Sequence, residues 1–166
     1  MDIRKAEKKD INNIVLIINQ AKNYFKKNGI PQWQGEYPNE IDIEDDIQKQ
    51  GGCCVIEDNE VIAYSFVSEY KDPNYSYIEG SWLNDEPYVV IHRTCVKETI
   101  KGRGIATSFV AYAKKICKDN GLRNIRVDTH EKNISMQRML EKNGFVKTGI
   151  IYVKDGSPRY AYQLVL

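Results

Sequence analysis

The chain lacks the apolar run that a membrane span requires: no stretch approaches ~18 consecutive apolar residues, and its start does not read as a signal peptide. It also lacks a charge bias. Lys plus Arg number 24 against 23 for Asp plus Glu, so no net field would hold nucleic acid or an anionic membrane. The four cysteines, Cys53, Cys54, Cys95 and Cys117, show neither zinc nor redox spacing. Three of them sit in apolar segments, as buried free thiols do, and no metal is expected. A Gly-Lys-Ser/Thr at P-loop spacing is missing, as is the third glycine of a dinucleotide fingerprint. With 166 residues and no linker, repeat or low-complexity tract, the chain is expected to form one domain, 1–166, of a reduced, soluble, cytoplasmic protein.

What is present centres on Lys101-Gly102-Arg103-Gly104-Ile105-Ala106. Tyr88 to Val96 reads as a buried strand, rich in β-branched residues and too short for a helix. From Ile105 the apolar residues change period: Ile105, Phe109, Val110, Ala113, Ile116 and Cys117 recur at helical spacing, with Gly121 at the stop. Two glycines and two cations therefore lie in a strand-to-helix turn. Its backbone N–H groups and the helix dipole suit a phosphate-bearing ligand, and glycine admits close approach to the backbone. A purely structural turn is the plain alternative.

The remaining elements follow from periodicity and turn residues. Ile3–Ala6 suits a first strand. Asp10 is placed to cap a helix with Ile11, Ile14, Val15, Ile18, Ala21 and Phe25 on its apolar face and Gly29 at its stop. An irregular stretch with Trp33 and Tyr37 leads to a helix at about Glu40–Gln48. Cys53–Glu57 and Val61–Ser68 flank Asp58-Asn59-Glu60 as a hairpin. The segment Glu69–Pro87 is irregular and aromatic, with Tyr70, Tyr75, Tyr77 and Trp82 beside Glu79 and Asp85. Such a segment suits a subsite for a cationic amine, and equally a surface flap or a homodimer contact. After a strand at Ile125–Thr129, Asn133 can cap a helix from Ile134 to about Asn143, stopped by Gly144. The end is a hairpin, Val146–Val153 and Arg159–Leu166, turned by Asp155-Gly156.

These residues resemble the GNAT N-acetyltransferases, which use acyl-coenzyme A. That family shows a strand ending in Val, a short link, and Gln/Arg-x-x-Gly-x-Gly/Ala opening a helix; here Val96 and Lys101 to Ala106 fill the pattern, with Lys101 in place of Gln or Arg. A second segment follows at the expected distance: Ile125–Thr129, Asn133, then Leu140-Glu141-Lys142-Asn143-Gly144-Phe145. The resemblance is close over about 88–145. It implies an α/β fold with a mixed, mostly antiparallel twisted sheet of roughly six or seven strands flanked by four helices. It also implies transfer of an acetyl group from acetyl-CoA to a primary amine by direct attack, the acceptor being a small molecule or a peptide N-terminus. The aromatic segments around Trp33 and Trp82 favour the small molecule.

By the same resemblance, backbone groups from Gly102 to Ala106 hold the pyrophosphate, with Lys101 and Arg103 nearby. Main-chain groups around Cys95 and Val96 pair with the pantetheine arm, and Asn133 faces the cofactor. The wall around Trp33 and Tyr37 faces the acceptor; the alternative for both aromatics is pinning the loop to the core. His92 matches a position where some amine-acetylating members carry their base, and an imidazole suits proton transfer near neutral pH. His130, just past a strand end, is the other candidate, with Glu79 a more distant one. The family's acid tyrosine would stand at 140, where this chain has Leu140. Tyr152 or another hairpin tyrosine, Cys95, a water, or unassisted departure of the thiolate are the options in its place. The missing tyrosine also keeps a catalytically silent acyl-CoA-binding or sensing module in view.

Overall fold

A computed structural model describes residues 2–166. Its strands are β1 (Asp2–Lys5), β2 (Gly52–Glu57), β3 (Glu60–Glu69), β4 (Glu79–Gly80), β5 (Tyr88–Val96), β6 (Asn124–Thr129), β7 (Val146–Tyr152) and β8 (Pro158–Val165). The helices are α1 (Ile11–Lys27), α2 (Glu40–Gln48), α3 (Ile105–Asn120) and α4 (Ile134–Lys142). The strands form one sheet in the order β1-β2-β3-β5-β6-β8-β7-β4. Of the described pairings, β5 with β6 is parallel, from Tyr88↔Asn124 to Val90↔Arg126. The others are antiparallel.

The residues gather into two compact groups, one of residues up to Val67 plus His92–Phe109, the other Ser68–Ile91 plus Val110–Leu166. In the first, α1 buries Ile14, Ile17, Ile18, Ala21 and Phe25 at helical spacing. The first four pack with Ile43, Cys54, Tyr64 and Cys95, the apolar burial that drives such a core. Asn39 caps α2, accepting the Ile41 N–H at 2.9 Å while its own N–H reaches Asp42 at 2.8 Å, a reciprocal cap. Asp10 differs from expectation. Its side chain makes no cap bond to α1; it accepts from the Glu7 N–H and takes two bonds from Arg4 at 2.7 and 2.8 Å. The stronger, charge-assisted partner wins over the helix end.

In the second group β7 and β8 form the expected hairpin around Gly156 (φ 84°). The eighth strand is the departure from six or seven. β4 has two residues inside the segment read as irregular, paired Glu79↔Ile150 and Gly80↔Gly149. A Cβ on Gly149 would lie 2.1 Å from the Glu79 carbonyl oxygen, so glycine is what lets this edge close. A two-residue strand carries no periodicity to read.

Candidate functional site

The turn before α3 has the form its glycines imply. Gly102 (φ 83°) and Gly104 (φ 74°) both lie in the left-handed region, and neither has an atom within 4 Å of where a Cβ would project. Conformation, not crowding, selects glycine there, and the space beside the backbone stays open to a ligand. Thr107 N–H closes the first turn of α3 on the Gly104 carbonyl at 3.1 Å. The two cations are engaged differently. Arg103 reaches Glu57 with two bonds, 2.9 and 2.8 Å, at the surface. The Lys101 ammonium sits 3.9 Å above the Tyr24 ring, where burial lowers its pKa.

Upstream, Arg93 in β5 takes φ 55°, a conformation that costs a non-glycine residue roughly 1–2 kcal/mol. Its side chain explains how this is held. The Arg93 Nε donates to Asp46 at 2.8 Å, its Nη2 to the other carboxylate oxygen, and Nη1 to the Tyr37 hydroxyl at 2.8 Å. The Tyr64 hydroxyl adds a third bond to Asp46, at 2.6 Å. Asp46 is 1% exposed. Burial pushes its carboxyl up, against the pull of Arg93 and Tyr64; three donors on two oxygens are matched only by the ionised form. This network was missed from sequence. Its one signal is an acid three residues after Ile43, on the buried face of α2.

His92, next to Arg93, is half-buried, its ring stacked on Phe66 at 6.3 Å; its carbonyl accepts from Ser65 at 3.0 Å. The Asp46 carboxylate lies close enough to interact with it electrostatically. Cys95 is buried in the core, and burial pushes its thiol well above the ordinary range, which removes it as a nucleophile or proton donor near neutral pH. Tyr37 is 49% exposed. Trp33 instead turns inward, at left-handed φ 57°, edge-on to Phe25 at 5.4 Å. Val15, Asn19, Lys22, Glu36, Pro38, Asn39 and Glu40 line an open cleft of about 480 Å³ in the same group.

In the second group His130 is 7% exposed. Its Nδ1 accepts the Lys132 N–H at 3.0 Å, which leaves the proton of the neutral ring on Nε2. Burial, with Arg159 as a further cause, lowers its pKa. Asn133 caps α4 through the Met136 N–H at 3.2 Å. Leu140 is fully buried and offers no proton. Glu79 and Tyr152, singled out separately, are brought together: the Tyr152 hydroxyl donates to Glu79 at 2.7 Å, with the Tyr77 ring 6.4 Å away. The carboxylate raises the phenol's pKa. Trp82 packs inward, donating to the Tyr75 carbonyl at 3.0 Å, its ring 4.2 Å from the Arg126 guanidinium. Tyr88 lies 4.1 Å from the same guanidinium. Among the described residues no group of three His, Cys, Asp or Glu is placed to hold a metal, and no helix is long and apolar enough to cross a membrane.

The sequence pattern of the acetyltransferase (GNAT) family matches residues 18–145. The chain is similar to a GNAT-family acetyltransferase of Streptococcus agalactiae, at 36% identity over 99% of this chain and 95% of that one, with a TM-score of 0.88. A GNAT-family acetyltransferase of Listeria monocytogenes is similar in fold at 20% identity, over 99% and 94% of the two chains, TM-score 0.76. So is yncA of Salmonella typhimurium, solved with its cofactor acetyl-CoA, at 17% identity over 100% and 94%, TM-score 0.71. No curated protein matches.

Proposed function

The chain belongs to the acetyltransferase (GNAT) family, and from that premise we propose that it moves an acetyl group from acetyl-CoA to a primary amine, a small molecule in preference to a peptide N-terminus. The observation that carries this reading is the turn Lys101–Ala106, with two left-handed glycines and open space at each missing Cβ. Such a turn fits a pyrophosphate on its N–H groups at a helix start. Arg103 would exchange Glu57 for phosphate, and Lys101 adds a second cation. Acetyl-CoA, when bound, supplies the acetyl thioester.

The rest falls to residues of the chain. Backbone groups at Cys95 and Val96 present an extended edge to the pantetheine arm. His92 takes the proton of the attacking amine, directly or through one water. Tyr37 faces the acceptor, and Trp33 fixes the loop that carries it. No tyrosine stands at 140, and Cys95 is too buried to serve, so the thiolate leaves unassisted or takes a solvent proton. Leu140 also favours a second reading, an acyl-CoA sensor without turnover.

A thiol-release assay over a panel of primary amines separates the two. Acetyl transfer to at least one amine is expected, with His92→Ala lowering kcat about 100-fold or more and sparing acetyl-CoA affinity. A pH–rate profile unchanged by His92→Ala would remove the histidine from the mechanism. Acetyl-CoA binding with no turnover on any amine would establish the sensor.

A further inference from the structure

Three arginines on the sheet are largely withdrawn from solvent. Arg93 holds Asp46. Arg126, 5% exposed, lies between the Trp82 and Tyr88 rings and donates to the Asn84 carbonyl at 2.7 Å, its Nε sealed among those neighbours. Arg159 on β8 is 8% exposed, yet among the described residues its one hydrogen bond runs from Nη1 to the carbonyl of its own neighbour, Pro158, at 2.8 Å. Among the described residues no carboxylate lies within ion-pair distance of it. A guanidinium on a buried residue with no carboxylate at ion-pair distance asks for an explanation.

The geometry of what remains is specific. With Nη1 occupied, Arg159 is left with its Nε and Nη2 donors, the edge of the guanidinium that grips a carboxylate or phosphate through two parallel bonds. Neither atom is hydrogen-bonded, and neither is sealed from solvent. Register places the neighbouring residue Tyr160 opposite Thr129, so Arg159 lies across from His130, one step past the end of β6. Nε2 of His130 is likewise unbonded and unsealed, while Nδ1 is fixed by the Lys132 N–H. The other charges near this pair are Glu131, Lys132 and Asp155. All three are exposed, with water to solvate them.

We infer that Arg159 and His130 form a receptor for a carboxylate or phosphate group. Two guanidinium donors and one imidazole donor would grip the anion.

The test is heteronuclear NMR of the full chain, following the Arg159 Nε–Hε and His130 ring signals during titration with acetate, inorganic phosphate or acetamide. Saturable movement with acetate or phosphate and none with acetamide is expected, and the stronger anion identifies the group. In Arg159→Gln the His130 signals should stop responding. No saturable response to either anion, or an unchanged His130 response in Arg159→Gln, would overturn the site. Arg159→Lys, which keeps the charge, should retain part of the response, and a far-UV circular dichroism spectrum matching wild type separates loss of the site from loss of the fold.

Discussion

Single residues here take opposite roles according to what meets their charge. Asp46 is buried with three donors on it, and its removal would strand Arg93 in the core. Asp46→Ala should therefore cost about 3–5 kcal/mol, read as a lower midpoint in urea unfolding, whereas Tyr64→Phe should cost about 1 kcal/mol. Equal small losses for both would mean that the pair contributes little. His130 carries a pH signature. Its folded pKa is lowered, so the unfolded chain takes up the proton first as pH falls. Stability should then decline as pH drops below about 6.5, the ordinary imidazole value, and continue to decline until the folded ring is itself protonated. His130→Gln should flatten that part of the stability profile. An identical slope in the variant would place the titration elsewhere.

Elements were legible in the sequence wherever periodicity and turn chemistry agreed. β5, α2 and the start of α3 stand where their residues placed them, and Gly29, Gly121, Gly144 and Gly156 all take positive φ at the stops and turn they were expected to make. What could not be read is contact between distant residues. Nothing local pairs Asp46 with Arg93, 47 positions apart, joins Glu79 to Tyr152, or sets Arg126 between two rings. The same limit applied to the site: the glycine turn is contiguous and was visible, while Arg159 and His130 meet only through the register of β6 and β8. The turn also carries its own prediction. Gly104→Glu puts a Cβ at φ 74° and an anion where phosphate would bind. Acetyl-CoA affinity should fall about 100-fold or more with the far-UV circular dichroism unchanged; undiminished affinity would remove the turn from the site.

At the scale of the whole molecule, the sheet order and four helices place the chain among the GNAT acetyltransferases, and family membership narrows chemistry without choosing an acceptor. The central claim is earlier in the chain of events: that this fold binds acetyl-CoA. The most direct measurement is thermal unfolding of the purified chain with acetyl-CoA, CoA, ATP or NAD at equal concentrations. A ligand at ~100 times its Kd adds about 2.7 kcal/mol, a shift of several degrees. Stabilisation by acetyl-CoA and CoA, with none from ATP or NAD, is the predicted result. A folded sample that neither CoA compound stabilises would contradict the account.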